Sequence, residues 1–450
     1  MHLLLKFDQT FSTLVLHLKT KLMKRLIIFY FALFTLISVA QTPSLQKSLI
    51  LTEGNAKDVG ISTDRLSKID AMIAEEIDNG NLPGAVALIA RNGKIVFHKS
   101  YGMANTEKKK QLQKDAIFRI ASQTKAITST AVMMLWEEGK FQLDDNISKY
   151  IPEFGEAQIL DTFNEADSTY TTKPAENQIT IRDLITHTSG IGYGVIDGDE
   201  RFKKMYSKAG ITDLFTTNNI TIAESVKKLA TLPLHHEPGE AFTYSEGLDV
   251  LGYFIELVSG MPFDEFLKTR IFEPLNMQDT WFYLPSEKHD RLVTVQKKEN
   301  GKWVNYPITF YDTDYPKKGA KSFFSGGAGL SSTAKDYATF LQMYLNEGEL
   351  NGVRLLSRTT VRSIFGNQIG EIWDGPKHHG LAFSVVNEKG EVSGGLGSEG
   401  TFEWGGYFNT QYFADPKEKV IGILMKQTQG PVDDTTGWKF KQMLFSSIDD

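Results

Sequence analysis

The chain has 450 residues, 41% apolar and 23% charged, with a net charge of −6 and no cysteine. This describes a folded chain with one large domain or two smaller ones, not a disordered one. The acidic balance argues against a nucleic-acid partner, and the missing cysteine excludes disulfides, thiolate metal sites and cysteine nucleophiles.

Near the N-terminus, Met23-Lys24-Arg25 precedes an apolar run from Leu26 to Ala40 that ends in Ser38-Val39-Ala40. A charged start, an apolar centre and a small-residue exit make the pattern of a signal peptide. Residues 1–40 are therefore expected to be removed near Ala40, with Met23 as the expected start and the periplasm or the exterior as the destination. The run is shorter than the roughly 20 residues of a membrane span, so an uncleaved anchor is the weaker reading. With no cysteine to carry a lipid, no stable membrane anchor is expected after cleavage. Residues 41–60 read as a linker, and 61–450 as one domain.

A helix is expected from Ser62 to about Asn79, where Leu66, Ile69, Met72, Ile73 and Ile77 recur near a 3.6 period. Two apolar runs, Ala85–Ala90 and Lys94–Lys99, flank Arg91-Asn92-Gly93 and predict a hairpin. The run Lys108-Lys109-Lys110 reads as a solvated loop. From Ser122 to about Glu138 the pattern is helical again, with Gly139 as its cap. The region 140–320 is loop-rich, with helical pieces near 180–187, 222–231, 246–259 and 263–270. Beyond it come a helix over Thr333–Asn346, β-rich runs at 380–387, 401–408, 410–414 and 419–426, and a last helix over 434–446. Strands at both ends and helices between them indicate an α+β fold: a sheet built from both termini and flanked by helices, with a mainly helical region inserted over about 122–320.

Ser122 stands three residues before Lys125, at the start of a helix. A serine hydroxyl is a weak nucleophile unless a base and an oxyanion site adjoin it. At a helix start, i and i+3 share a face, so the two side chains sit together. The positive end of the helix and burial both disfavour the ammonium form, which suits a proton acceptor. On spacing alone, a capping serine beside a surface lysine is the better explanation of the pair.

The surrounding blocks decide between these readings. They are Phe118-Arg-Ile-Ala-Ser-Gln-Thr-Lys125, Leu135-Trp-Glu-Glu-Gly-Lys-Phe-Gln-Leu-Asp-Asp145, Lys149-Tyr-Ile-Pro-Glu-Phe154, Asp183-Leu-Ile-Thr-His-Thr-Ser-Gly190, Pro238-Gly-Glu-Ala-Phe-Thr-Tyr-Ser245, Gly327-Ala-Gly-Leu-Ser-Ser-Thr-Ala-Lys-Asp-Tyr337, Trp404-Gly-Gly406 and Asp415-Pro-Lys417. In order and over about 60–430, they resemble the serine β-lactamase and penicillin-binding-protein superfamily, in its class C-like esterase and peptidase branch. The resemblance implies a β-lactamase/transpeptidase-like fold with Ser122 as nucleophile. It also implies that Tyr244 shares the proton of Ser122 with Lys125, and that the backbone N–H of Tyr407 is the second oxyanion donor beside that of Ser122.

Two departures from that pattern bear on substrate. Glu246 stands where the family has asparagine; it offers only acceptors, and it either faces the substrate, where it would attract a cationic amine, or turns away into the helix start. Trp404-Gly405-Gly406 stands in place of Lys-Thr-Gly, so the lysine that grips a β-lactam carboxylate is missing and an apolar indole takes its place. Both glycines allow close backbone approach to a substrate.

Other groups carry less. His187 is expected to shape a loop. Neither His235-His236-Glu237 nor His378-His379 has the i, i+4 spacing of a helical zinc pair, so no metal and no cofactor are expected. Gly326-Gly327-Ala328-Gly329 reads as a loop, and no Gly-x-Ser-x-Gly elbow is present. The chain is thus expected to be a secreted serine hydrolase that works through an acyl-enzyme on ester or amide bonds of a small molecule or peptide, with esters favoured. The alternatives are a D-aminopeptidase, a D,D-carboxypeptidase or a weak β-lactamase, and a binding module with an idle site.

Overall fold

The computed structural model describes residues 43–48, 50–430 and 434–450. The expected signal segment, 1–40, lies outside them. Residues Ser44–Asp450 form one compact unit.

The segment read as a linker contributes to that unit. Strand β1, Thr52–Glu53, pairs in parallel with a later strand, and the turn Ala56–Val59 buries Ala56 and Val59. Helix α1, Thr63–Asp78, starts at Ser62, whose side chain accepts the Arg65 N–H, and buries the apolar stripe expected of it. Strands β2, Gly84–Arg91, and β3, Lys94–Asn105, form the expected hairpin. At its turn Asn92 and Gly93 have φ of 51° and 75°, as a type I′ turn requires.

The strand β4, Phe118–Arg119, leads into helix α2, Thr124–Glu137. Thr124 through Leu135 are all buried, so α2 runs through the middle of the molecule. The inserted region holds an unexpected exposed hairpin, β5 Gln158–Phe163 with β6 Tyr170–Pro174. It continues with helices α3 Ile181–Ile185, α4 Glu200–Ala209, α5 Ile222–Leu229, α6 Gly247–Ser259 and α7 Phe263–Leu267. Strand β7, Ser331–Ser332, pairs with β4, and helix α8, Ala334–Leu345, follows. Strands β8 Lys377–His379, β9 Ser384–Val386, β10 Phe402–Gly406, β11 Thr410–Asp415 and β12 Val420–Met425 complete the sheet, before helix α9, Thr436–Ser446.

The sheet order is β1-β3-β2-β12-β11-β10-β9-β8, with Lys110–Gln111 also pairing on β3. Every pair except β1 with β3 is antiparallel. The join between the two chain ends is β2 with β12, from Val86 opposite Met425 to Arg91 opposite Val420. Both strands are apolar on both faces, because helices cover each side. Ala85, Ala87, Ile89 and Leu424 pack with α1 and α9, while Val86, Leu88, Ile421 and Ile423 pack in the main core with α2 and α8. This is the expected α+β architecture. Among the described residues no helix is long and apolar enough to cross a membrane.

Candidate active site

Ser122 owes its place to a buried arginine. Arg119 is 1% exposed, and its Nε and Nη1 donate to the carbonyls of Thr313 and Val293 at 2.6 and 2.7 Å. The side-chain oxygen of Gln427 accepts the Arg119 N–H at 2.8 Å. Ile120 N–H then donates to the Leu330 carbonyl, and Ala121 takes a left-handed φ of 43°. A non-glycine residue holds that conformation only where its surroundings dictate it. The chain turns through Ala121–Gln123 and enters α2 with Ser122 at its mouth, half-exposed.

The expected catalytic side chains meet there. The hydroxyls of Ser122 and Tyr244 are 2.7 Å apart. Lys125, 5% exposed, lies one turn along the same face and donates to Ser122 Oγ at 3.4 Å. It also donates to Tyr193 OH at 3.0 Å and to the carbonyl of Gly327 at 2.7 Å. Its ammonium nitrogen sits 4.7 Å from the centre of the Tyr244 ring and 5.0 Å from that of Tyr193. The two rings stack at 5.2 Å. All three hydrogen-bond acceptors of Lys125 are therefore neutral oxygens, so a proton arriving on its amine or leaving it breaks no ion pair.

Tyr193 and Gly327 complete the hydrogen bonds of Lys125, and the sequence did not reveal them. Tyr193 carries no motif of its own in Gly192-Tyr193-Gly194. The glycine run at 326–329 was a visible signal without an assigned purpose. A Cβ on Gly326 would fall 2.2 Å from the Leu248 carbonyl, so only glycine lets this loop lie against α6. Its two carbonyls then hold α2: Gly326 accepts from Thr128 Oγ1 at 2.7 Å and Gly327 from Lys125.

His187 has the structural place expected of it. Its φ is 61°, and its Nδ1 accepts the Ser245 N–H at 3.2 Å. Burial holds its pKa well below the usual histidine range. The neutral ring lies 4.7 Å from that of Tyr244 and fixes the loop from which Tyr244 reaches Ser122. His379, pushed down to about 4 by burial, packs at 5.6 Å against Trp404. His235 pairs with Asp197 at 3.0 Å, not with a metal ligand set. Among the described residues no cluster of His, Asp or Glu is arranged to hold a metal.

The third block forms the other wall. Strand β9 pairs with β10 only at Phe402 and Glu403, so beyond them the outer edge of β10 has no strand beside it. Gly406 lies against the nucleophile's own chain, where an added Cβ would meet the Ile120 carbonyl at 2.5 Å. Trp404 lines the small cavity beside Ser122 with Lys125, Leu248, His379 and Tyr412, its ring 6.0 Å from that of Tyr244. Tyr407 follows directly, its ring packed near Phe215, Tyr311 and Phe408.

Glu246 does not line the cavity beside Ser122. It is 2% exposed and precedes α6, with its backbone N–H donating to the Gly192 carbonyl. Its side chain lies buried beside Asp213. Burial and then the hydrogen bond to Asp213 hold its carboxyl well above the usual range. A side chain buried away from the cleft is not placed to attract an amine substrate, which corrects the expectation that it binds one.

The comparisons with known proteins show the family. A family model described as Beta-lactamase matches residues 69–442. Protein Rv1367c of Mycobacterium tuberculosis is 33% identical over 371 residues, 79% of this chain and 88% of its own. Esterase EstB of Burkholderia gladioli is 29% identical over 394 residues, 84% of this chain and 95% of the esterase. The lovastatin esterase of Penicillium rubens is 29% identical over 393 residues, 81% and 94% of the two chains. The solved structure of EstCE1, described as a hydrolase with promiscuous acyltransferase activity, shares the fold with a TM-score of 0.70 at 24% identity, over 86% of this chain and 99% of that one. With the serine, lysine and tyrosine brought together at the mouth of α2 and the family match running through nearly all of the described fold, the chain belongs to the beta-lactamase family of serine hydrolases.

Proposed function

We propose that this serine hydrolase is an esterase that works through an acyl-enzyme. The observation that carries the reading is the wall of the cleft: beside a 2.7 Å contact between Ser122 and Tyr244 stands the indole of Trp404, where the family's lactam-binding members carry a lysine. A neutral, apolar wall favours an uncharged acyl group over a carboxylate. Two named relatives, EstB and the lovastatin esterase, support the same choice.

In this mechanism Ser122 Oγ attacks the ester carbonyl carbon, and its proton passes to the Tyr244–Lys125 pair. The oxyanion lies at the positive end of α2, facing the backbone N–H groups of Ser122 and Tyr407. Collapse breaks the ester bond; the leaving alkoxide takes the proton back and departs as an alcohol. Water, deprotonated by the same pair, then attacks the acyl carbon and releases the acid, and Ser122 regains its proton. Export of the mature enzyme is part of the proposal, supported by the charged and apolar pattern of residues 23–40 and by a cysteine-free chain.

Turnover of p-nitrophenyl butyrate and of nitrocefin by the mature protein and by Ser122→Ala tests the reading. Fast ester cleavage, slow nitrocefin cleavage and loss of both in the variant are expected. Full activity in Ser122→Ala would overturn it, and fast nitrocefin turnover would replace the esterase with a lactamase.

A further inference from the structure

Behind the catalytic lysine lies a second polar layer that the mechanism above does not use. Its centre is Glu246, at the start of α6, and Asp213, in the segment between α4 and α5, two carboxyls buried beside each other behind Tyr193. Glu246 Oε1 and Asp213 Oδ1 are both buried, and no donor outside the pair reaches them. Two carboxylates cannot occupy that space unless one carries a proton.

The pair grips the loop that carries Tyr193. The Glu246 N–H holds the Gly192 carbonyl at 3.1 Å, and Asp213 Oδ2 accepts the Val195 N–H at 3.3 Å. A Cβ on Gly194 would fall 2.0 Å from Asp213 Oδ1, so the glycine lets the carboxyl lie directly on the loop. Tyr193 between them is fully buried, and its hydroxyl oxygen accepts a hydrogen bond from Lys125 at 3.0 Å. We propose that Glu246 and Asp213 are a proton-sharing carboxyl pair that positions Tyr193, and through it Lys125, for catalysis. The inference rests on the serine-hydrolase reading of Ser122.

The groups facing the pair leave it no other counter-charge. Asp249, on α6, is acidic and spends one oxygen on the Gly327 N–H at 3.2 Å. From the loop, Asp197 is occupied by His235 and the Tyr193 N–H. From α4, Tyr206 donates no charge and accepts the Gly192 N–H at 2.9 Å. Lys125 is the one cation near, and it is engaged with Ser122, Tyr193 and Gly327. Loss of the shared proton therefore puts a second negative charge into a buried, acidic pocket, and the Tyr193 loop has to move. Burial and the mutual hydrogen bond hold Glu246 protonated well above the ordinary carboxylate range, consistent with that arrangement.

The test is the pH dependence of kcat in Glu246→Gln, Glu246→Ala and Asp213→Asn, measured on p-nitrophenyl butyrate, with fluorophosphonate labelling of Ser122 at each pH. Glutamine keeps a donor for Asp213 but has no proton to lose. Its kcat at neutral pH is expected within about threefold of the wild type, with the alkaline fall moved up by about one pH unit or more. Alanine gives no rescue, and about a tenfold or greater loss of kcat with KM nearly unchanged is expected. If Glu246→Gln does not fold, the alkaline limb of Asp213→Asn gives the same reading. An alkaline limb identical to the wild type in the amide variant, or full kcat in Glu246→Ala, would overturn the pair's role. Failure of the fluorophosphonate to label wild-type Ser122 would instead overturn the catalytic reading on which the pair depends.

Discussion

Two buried lysines, Lys125 on α2 and Lys426 just past β12, solve the same problem in opposite ways. Lys426 is 1% exposed and bound to a carboxylate, Asp434, with Thr436 Oγ1 a further acceptor at 2.9 Å. Burial pushes its pKa down and Asp434 pulls it back. The pair is charged and fixed. Lys125 is almost as deeply buried, but its bonds run to two hydroxyls and a carbonyl. The difference teaches that burial does not make a lysine catalytic. What matters is whether its proton can leave without stranding a buried charge on the partner.

The comparison breaks if the two sites answer mutation alike. The largest effect belongs to Ser122→Ala, which is expected to lower kcat by at least about a thousandfold while leaving thermal unfolding almost unchanged. Lys125→Met is expected to cost about a hundredfold to ten-thousandfold in kcat, with a smaller loss of stability than Lys426→Met, since the oxygens that accept its hydrogen bonds are neutral. Lys426→Met should do the reverse. It leaves Asp434 buried and unpaired, at a cost of about 3–5 kcal/mol in denaturant unfolding, and the folded fraction should turn over substrate normally. A stable Lys426→Met protein, or an unstable Lys125→Met one, would end the distinction.

Smaller effects sharpen it. In Gly406→Ala the new methyl meets the Ile120 carbonyl and Thr410 Oγ1, so a loss of about 1–3 kcal/mol is expected together with reduced kcat. The pH dependence of stability should differ most subtly. Glu246 has a raised pKa in the fold, against an ordinary value of 4.5 in the unfolded chain. Above that value the native state binds a proton that the unfolded chain has released. Its stabilising share is therefore full below about 4.5 and declines as pH rises toward the native pKa. The Tm of Glu246→Gln should lack this part of the decline, so it should gain on the wild type as pH rises. A constant difference from pH 4 to pH 9 would refute the assignment.

What the sequence made legible follows from periodicity and motif. The α1 stripe, the Asn92-Gly93 turn and the apolar α2 each have a local physical signature, and each formed as expected. Ser122, Lys125 and Tyr244 could be placed because their neighbours match a family pattern. The hairpin of β5 and β6 was invisible because most of its residues face solvent and show no apolar alternation. Helix α4 had signals that could have found it: Asp199 caps it, Gly210 ends it at φ 62°, and Phe202, Met205 and Tyr206 fall on one face. Tyr193 and Asp213 could not be found, since their importance is a matter of what the fold lays beside them. Glu246 was visible as an anomaly, but its burial depends on what the fold lays around the start of α6.

The pairing of β2 with β12 has a consequence for how the molecule comes into being. Val86 finds its neighbour only when Met425 has been made, so the middle of the sheet is among the last things the chain can complete. Until then the β2–β3 hairpin carries an apolar edge with no strand to cover it, and the sequence separation makes closure slow. A nascent chain of this kind stays open for most of its synthesis. It needs protection from aggregation during that time, because the exposed edge can pair with another chain before its own partner strand exists.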